Sequence, residues 1–249
     1  MTRSVKEAIR RMLPRTVRVH RILAGPLRGA WLCTSWHDYP GALLGTTERP
    51  LLDWFARHVK PGETWLDVGA HYGYTSLALS RLTGAEGRVF AFEPVAETVA
   101  CLERTRAVNG LGQLRIVPVA LSDAAGRGAL RLPQTRGMAD RTVSELDAER
   151  HETIAHQSLD TLWPEIAEGR GEVAGIKIDV QGMELEVLGG MQDLLRVQRP
   201  RLVVEFHAGV DRGLILELLS QCGYSTFVQA IDGGSSAVLQ DDCSYVFSG

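Results

Sequence analysis

The chain has 249 residues, of which 45% are hydrophobic and 23% charged, and its formal net charge is −3. This length allows one large α/β domain or two small ones, and the apolar content can supply a sizeable core. No apolar run is long enough to span a bilayer, and the basic start lacks the apolar segment of a secretory signal. The four cysteines are far apart and form no C-x-x-C pair. The sequence therefore predicts a reduced, cytoplasmic protein with buried thiols.

The first thirty residues are strongly basic, with a net charge of +7 that leaves −10 for the rest of the chain. One apolar face of a short helix is indicated by the spacing of Val5, Ile9, Met12 and Leu13. A basic amphipathic start can touch an anionic membrane surface or a phosphorylated substrate. Because the apolar face is short, we favour a solvated helix that packs across the domain or against a partner subunit of a homo-oligomer. We predict a basic helical and loop segment over 1–45 and the main domain over 46–249.

From residue 46 onward, predicted helices and strands alternate, and Thr47 is the expected N-cap of the first helix. The predicted helices cover 48–59, 74–82, 96–109, 183–191 and 213–222, and the predicted strands cover 65–68, 88–93, 114–119, 175–180, 201–206, 224–231 and 244–247. The last two strands are close in sequence and must be antiparallel, because a parallel crossover needs a dozen or more residues. The pattern predicts a doubly wound α/β fold with a seven-stranded, mostly parallel sheet and a C-terminal antiparallel hairpin.

Residues 127–158 interrupt the alternation. Short strands are predicted at 128–132 and 153–159, with a polar stretch at 134–147 between them. Loops on a fixed scaffold often carry specificity, so we expect this insertion to supply substrate contacts.

The most informative segment is the glycine turn after the first predicted strand of the main domain. That strand ends near Asp67, and Gly69 and Gly73 follow it. In a doubly wound sheet the ligand crevice lies at the carboxyl ends of the strands, and glycine lets the backbone approach a ligand closely. Glu93 ends the next strand and is well placed to accept hydrogen bonds from a ribose diol. The unit therefore predicts a nucleoside-cofactor site.

The glycine spacing separates two classes of cofactor. A dinucleotide loop follows G-x-G-x-x-G, whereas His71 makes the spacing G-x-x-x-G in this chain. Asp67 would repel a pyrophosphate but suits the ammonium and sulfonium groups of S-adenosylmethionine. An NAD-dependent oxidoreductase is the alternative, and the lack of a separate catalytic domain argues against it. A non-catalytic cofactor-binding module is a third hypothesis.

Six segments resemble the FkbM-family methyltransferases, a class I group that depends on S-adenosylmethionine. They are LDVGAHYGY at 66–74, VFAFEP at 89–94, VALSD at 119–123, SLD at 158–160, IKIDVQGME at 176–184 and VVE at 203–205. The resemblance covers about 45–210 and implies a Rossmann-like, seven-stranded fold and methyl transfer to a hydroxyl of a small molecule, sugar or secondary metabolite. Gln181 departs from the family, which usually has an acid at this position in the motif D-x-E-G. The difference bears on which acceptor is methylated or on the efficiency of methyl transfer.

The candidate site residues fall into two groups. We expect the cofactor to contact Asp67, Gly69, Ala70, His71, Gly73, Glu93, Pro94, Ala120, Leu121 and Asp179. The glycine loop would face the methionine half, Glu93 the ribose, and Pro94 with the turn at 120–123 the adenine. The candidates for a catalytic base are Asp179, Glu205 and His207. Asp179 is the best placed, because its strand ends beside the switch point of the sheet. Glu48 is more simply an exposed helical side chain.

No metal site is predicted, because sequence spacing does not force the four candidate ligands together and Mg²⁺ needs near-octahedral geometry. Those ligands are Asp179, Glu184, Glu205 and His207. Glu184 could equally favour the dipole of the helix that it begins. His151 and His156 are expected to face solvent. The expected partner is a small-molecule or glycan hydroxyl acceptor and not nucleic acid, given the acidic main domain.

Overall fold

The structure, a computed structural model, describes residues 12–132, 150–167, 169, 171–231 and 239–249. Its helices are α1 (Pro40–Leu44), α2 (Arg49–His58), α3 (Tyr74–Thr83), α4 (Ala96–Val108), α5 (Leu159–Ile166), α6 (Glu184–Gly189), α7 (Gln192–Gln198) and α8 (Arg212–Gln221). Its strands are β1 (Arg18–Arg21), β2 (Trp31–Thr34), β3 (Thr64–Val68), β4 (Arg88–Phe92), β5 (Leu114–Val117), β6 (Ala120–Leu121), β7 (Gly126–Leu132), β8 (Arg150–Gln157), β9 (Gly175–Ile178), β10 (Arg201–Phe206), β11 (Gln229–Ala230) and β12 (Cys243–Phe247). None of these helices is long and apolar enough to cross a membrane.

Seven strands form the central sheet in the order β11-β12-β10-β9-β3-β4-β5. The five strands from β10 to β5 run parallel, and β12 is antiparallel to both β10 and β11. This confirms the predicted α/β class, the mostly parallel sheet and the antiparallel C-terminal pair. Along the chain, β4 and β5 are added on one side of β3, and β9 and β10 are then added on its other side. The switch point therefore lies between β3 and β9, where a ligand crevice is expected.

The central strands are buried on both faces, so they appear in the sequence as continuous apolar runs. Successive side chains point to opposite faces, and in β3 this places Leu66 and Val68 in one apolar cluster and Trp65 in another. All three side chains are at most 1% exposed. Removing one such side chain, as in Leu66→Ala, costs about 2–5 kcal/mol. The sheet is thus a rigid support for the loops at its edge.

The N-terminal segment contributes an antiparallel strand pair, β1 and β2, that the sequence analysis did not anticipate. The Cys33 N–H donates to Thr105 Oγ1 over 3.0 Å, which attaches β2 to α4. Trp31 exchanges two hydrogen bonds with Asn109 at the end of the same helix. Strands of four residues are too short for a clear periodicity. Most of the predicted N-terminal helix falls in 1–11, outside the described residues, and the boundary at residue 45 stays a prediction.

The insertion builds a second sheet, in which β7 and β8 are antiparallel and β6 pairs with β8 in parallel. This confirms that 127–158 contains two paired strands, and both begin earlier in the chain than predicted. The polar stretch at 134–147 lies outside the described residues. The second sheet holds β7 and β8 beside the carboxyl end of the central sheet, because β6 directly follows β5.

Helix α2 begins one residue later than predicted, and Thr47 is not its cap. Glu48 occupies the cap position with φ of 52°, and its side chain accepts no capping hydrogen bond. Pro50 in the first turn needs no N–H partner, so the helix can begin without a side-chain cap.

Candidate active site

A cavity of about 850 Å³ opens at the carboxyl ends of β3, β4, β9 and β10. The predicted cofactor residues that line it are Gly69, Ala70, His71, Glu93, Pro94, Ala120, Leu121 and Asp179. Asp67 and Gly73 lie behind this lining. Strands β7 and β8 also line the cavity, and His156 of β8 is among the lining residues. This histidine was expected to face solvent, and it faces the cavity instead. The insertion therefore reaches the site.

Packing within the protein requires glycine at two positions of the loop after β3. Gly69 has φ of +81°, and a Cβ there would lie 1.8 Å from the carbonyl oxygen of Asp179. Gly73 has φ of +86°, and its Cβ would lie 2.2 Å from Leu102 Cδ1. The sequence analysis assigned this close approach to a ligand, whereas the space beside both glycines is filled by neighbouring chain. The loop is therefore fixed before any ligand enters.

Asp67 braces this loop from below. Its Oδ2 accepts hydrogen bonds from Thr75 Oγ1 over 2.7 Å and from Ser76 Oγ over 2.5 Å, both in the first turns of α3. Its Oδ1 lies 3.6 Å from Lys177 Nζ. Because the side chain is fully buried, Asp67 does not reach the cavity as the sequence analysis expected. It ties β3 to the start of α3 and so holds the loop between them.

The carboxylate of Glu93 lines the cavity and is held by two backbone N–H donors. The His71 N–H donates to Oε2 over 3.0 Å, and the Val95 N–H donates to Oε1 over 3.0 Å. Burial raises the pKa of Glu93 to about 7 even though both hydrogen bonds lower it. Each carboxylate oxygen keeps further acceptor capacity, since an ionised carboxylate offers about four lone-pair sites. Glu93 is thus fixed in place and still able to bind a diol.

His71 lies at the tip of the loop as a neutral side chain. Its φ is 50°, and its ring lies 4.0 Å from the Tyr72 ring and 5.7 Å from the Tyr39 ring, centroid to centroid. Burial lowers the pKa of His71 to about 4. The imidazole therefore contributes a flat, uncharged surface to the cavity at neutral pH.

Asp179 follows β9 and divides its two oxygens between different partners. Lys177 Nζ lies 3.3 Å from Oδ2, and Gln181 Nε2 donates to Oδ1 over 3.1 Å. Burial would raise the pKa of Asp179, but Lys177 and His207 hold it below its usual value. Burial by itself would lower the pKa of Lys177, because it disfavours the charged ammonium. The surrounding carboxylates, Asp179 first, instead raise this pKa above its usual range. Lys177 is therefore a permanent ammonium between Asp67 and Asp179.

His207 lies one layer behind the cavity wall and is 8% exposed. Its Nδ1 lies 2.8 Å from Oε1 of the fully buried Glu184. Its Nε2 lies 3.5 Å from Asp179 Oδ1 and 3.6 Å from Glu205 Oε1. Burial would lower the pKa of His207, but the hydrogen bond to Glu184 and the nearby carboxylates raise it. Burial, followed by repulsion from Asp179, raises the pKa of Glu205 to about 7. The structure thus brings the three candidate bases together, with Glu184 behind them.

Glu48 is a cavity residue that the sequence analysis misjudged. Its half-buried side chain lines the cavity, and burial raises the pKa of its carboxyl. The favoured interpretation, an exposed helical Glu, was wrong because α2 begins at Arg49. The signal that could have placed it is Pro50, since proline favours the first turn of a helix.

The geometry first defines a class. A loop braced by a buried acid, a second acid at the end of the next strand and a seven-stranded sheet with an antiparallel C-terminal strand are features of Rossmann-like methyltransferases. The model of the Methyltransferase FkbM domain matches residues 67–226 of the chain. The protein belongs to the FkbM methyltransferase family, and its cofactor is S-adenosylmethionine.

The chain is also similar to individual proteins. The hexuronic acid methyltransferase AglP of Haloferax volcanii is 30% identical over 176 residues, which cover 70% of this chain and 68% of AglP. The crystal structure of an FkbM methyltransferase from Methylobacillus flagellatus KT is similar at 17% identity and a TM-score of 0.48, over 83% of this chain and 52% of that one. Fibrillarin of Aeropyrum pernix, solved with bound S-adenosyl-L-methionine, is similar at 13% identity and a TM-score of 0.47, over 94% and 82% of the two chains.

Proposed function

We propose that the protein transfers the methyl group of S-adenosylmethionine to a hydroxyl oxygen of a sugar-containing acceptor. The observation that carries this proposal is the pair of carboxylates, Asp179 and Glu205, that faces the cavity next to the glycine loop. Two carboxylates beside a cofactor loop can bind and orient a hydroxyl and accept its proton. The proposal adds the acceptor atom and the acceptor class to the established family.

The residues at the Glu93 end fit the cofactor. Glu93 would accept hydrogen bonds from the ribose hydroxyls, which together contribute on the order of 1.5–3 kcal/mol for a charged acceptor. The backbone of 69–73 would border the methionine half, and Pro94, Ala120 and Leu121 would enclose the adenine. We assign Asp67 the support of the loop rather than a direct contact, because its side chain is fully buried and its Oδ2 already accepts two hydrogen bonds inside the protein.

At the other end, the residues would position the acceptor oxygen. The cofactor, when bound, supplies a methyl group on a positively charged sulfur. Alignment of reacting atoms can supply ~7–11 kcal/mol of barrier reduction in favourable cases. Asp179 would hold the acceptor hydroxyl in line and take up its proton, and general-base assistance of this kind contributes about 10²–10⁴-fold. Lys177 fixes the orientation of Asp179 through its Oδ2.

Charge favours a hydroxyl over a carboxylate as the acceptor group. Glu48, Asp179 and Glu205 line this part of the cavity, and the nearby Lys177 is engaged by Asp67 and Asp179. In the absence of a bound cation, a negatively charged acceptor group would meet like charges at short range, which disfavours its binding. The name of the Haloferax relative, a hexuronic acid methyltransferase, supports a sugar as the rest of the acceptor.

The test is a methylation assay on paired acceptors. The purified protein is incubated with S-adenosylmethionine and either a neutral glycoside or the matching uronic acid, and the products are analysed by mass spectrometry before and after mild alkali. We expect an alkali-stable methyl ether on the glycoside. An alkali-labile methyl ester formed on the uronic acid alone would contradict the hydroxyl assignment.

A further inference from the structure

A group of three side chains at the ends of β9 and β10 converges on one point. One oxygen of Asp179, one oxygen of Glu205 and one ring nitrogen of His207 all lie within 4.8 Å of one another. The sequence analysis predicted no metal site because spacing did not force these residues together. The neighbouring parallel strands β9 and β10 bring them together instead.

Each of the three side chains is held by a second partner on its far side. Lys177 Nζ lies 3.3 Å from Asp179 Oδ2, which leaves Oδ1 towards His207. Ser244 Oγ donates to Glu205 Oε2 over 3.3 Å, which leaves Oε1 towards His207. This arrangement, in which outer atoms are bonded and inner atoms converge, is typical of metal ligands and their supporting residues.

The histidine is oriented in the same way. Its Nδ1 lies 2.8 Å from the buried carboxylate of Glu184, and the neutral tautomer with its proton on Nδ1 would direct the Nε2 lone pair towards Asp179 and Glu205. A histidine that binds a metal nearly always donates its other ring N–H to a carboxylate, a carbonyl or water. Glu184 therefore has the position of a supporting residue, not of a ligand.

The distances suit a small divalent cation. Nε2 of His207 lies 3.5 Å from Asp179 Oδ1 and 3.6 Å from Glu205 Oε1. Neighbouring ligands about 2.1 Å from a cation are roughly 3.0–3.4 Å apart in octahedral and tetrahedral sites. Both distances from the His207 nitrogen exceed this range by only a few tenths of an ångström, and the three ligand atoms all lie within 4.8 Å of one another. The two carboxylates also carry the two negative charges that a dication neutralises.

Gln181 can complete the group from the cavity side. Its Nε2 lies 2.8 Å from His207 Nε2 and 3.1 Å from Asp179 Oδ1. Rotation of the amide by half a turn puts Oε1 in that place, and an amide oxygen is a suitable ligand for a hard cation. The site then has two carboxylate oxygens, one amide oxygen and one imidazole nitrogen.

We propose that Asp179, Glu205 and His207, assisted by Gln181, bind one divalent cation of the Mn²⁺ type. Oxygen ligands with one imidazole suit such a cation, whereas sites for softer metals are built from thiolates. Asp179, Gln181 and Glu205 line the cavity, so the open side of the cation faces the acceptor. Its role, to hold the acceptor oxygen, rests on the proposed function, whereas the binding of the cation does not.

The experiment is a Mn²⁺ titration of the full-length, chelator-treated protein at neutral pH, followed by the electron paramagnetic resonance signal of free Mn²⁺ and by calorimetry. We expect one Mn²⁺ per chain, displaced by Zn²⁺. Asp179→Asn and Glu205→Gln should each weaken binding at least tenfold, and Glu184→Gln by about 10–100-fold as a supporting residue. The control Glu217→Gln, an exposed acid on α8, should bind Mn²⁺ as the wild type does.

Binding of neither Mn²⁺, Mg²⁺ nor Zn²⁺ at millimolar concentration would overturn the proposal, and so would binding that is equally strong in the Asp179→Asn/Glu205→Gln double variant. Melting curves of the variants show whether they are folded, and the near-isosteric Glu205→Gln keeps the test valid if another variant unfolds. S-adenosylhomocysteine binding is measured on the same samples. The methylation assay on paired acceptors is run in parallel. If the methyl ether forms on the glycoside and Mn²⁺ does not bind, the cation site fails while the proposed function stands; if Mn²⁺ binds and no methyl ether forms, the proposed function fails while the cation site stands.

Discussion

The two ends of the cavity hold their carboxylates by different means. Glu93 is fixed by two backbone N–H groups, from the loop after β3 and from its own strand end. Asp179 and Glu205 are fixed by the side chains of Lys177 in β9, His207 just after β10 and Ser244 in β12. Backbone donors persist whatever the side chains are, whereas the second arrangement depends on the identity of each residue. Under the proposed function, the cofactor end is therefore a property of the fold, and the acceptor end is a property of this particular chain.

The two ends of the cavity touch where Gly69 packs against the carbonyl oxygen of Asp179, and a substitution at Gly69 can disrupt this contact. In Gly69→Ala the new Cβ would overlap the Asp179 carbonyl oxygen, and the residue would also keep an unfavourable positive φ. We expect the free energy of unfolding to fall by about 3 kcal/mol or more, measured by urea denaturation. Gly62→Ala is the matched control, because Gly62 has φ of +85° with no atom within 4 Å of its Cβ. It should cost about 1–2 kcal/mol. Equal losses in the two variants would contradict the packing argument.

The acceptor end alone is tested by Asp179→Asn, which keeps the shape and removes the charge. We expect turnover to fall by about 10²-fold or more while the affinity for S-adenosylhomocysteine changes little. Steady-state kinetics on the acceptor found in the methylation assay and calorimetry provide the two readouts. Near-normal turnover would move the assignment to Glu205 or His207. A loss of affinity or of melting temperature without loss of turnover would show that Asp179 only supports the loop.

The cofactor end alone is tested by Glu93→Ala. Loss of the ribose acceptor should weaken S-adenosylhomocysteine binding by about 1.5–3 kcal/mol, or roughly 10–150-fold, as measured by calorimetry. Glu217→Ala serves as control, because Glu217 is an exposed acid on α8 that does not line the cavity. If both variants bind the nucleoside as the wild type does, Glu93 does not hold the ribose.

The smallest effect is a pH dependence of nucleoside affinity. The pKa of Glu93 is raised to about 7 by burial, so the carboxylate that we propose as the acceptor for the ribose hydroxyls forms as pH rises through about 7. Affinity should increase by at most about tenfold between pH 6 and 8 relative to Glu93→Gln. The same raised pKa adds stability to the unliganded protein below about pH 4.5 that is lost as pH rises through 7. A constant affinity ratio between the wild type and Glu93→Gln over this range would argue against the titration.

The sequence predicted the central sheet because its strands are continuous apolar runs, and it placed Glu93 because the residue directly follows one of them. It could not predict that Asp67 turns inward. That outcome depends on Thr75 and Ser76, whose hydroxyls meet the carboxylate only once α3 has packed on β3. A hydroxyl pair early in the helix is a weak signal in a sequence.

The grouping of Asp179, Glu205 and His207 was also beyond the sequence. Each was recognised as a residue near the end of a strand, but their distances depend on the strand order, in which β9 and β10 are neighbours. The β1 and β2 pair was missed for another reason: its stability comes from packing on α4, as the contact between Cys33 and Thr105 shows, and not from local propensity.

The main-chain contact between Gly69 and the carbonyl of Asp179 has a consequence for how such proteins diversify. Two peptide backbones touch here, so the separation between the glycine loop and the end of β9 does not depend on any side chain. Under the proposed function, residues around the recipient can be exchanged during evolution without altering this separation. New recipients can then be acquired while the backbone frame of the site is inherited unchanged.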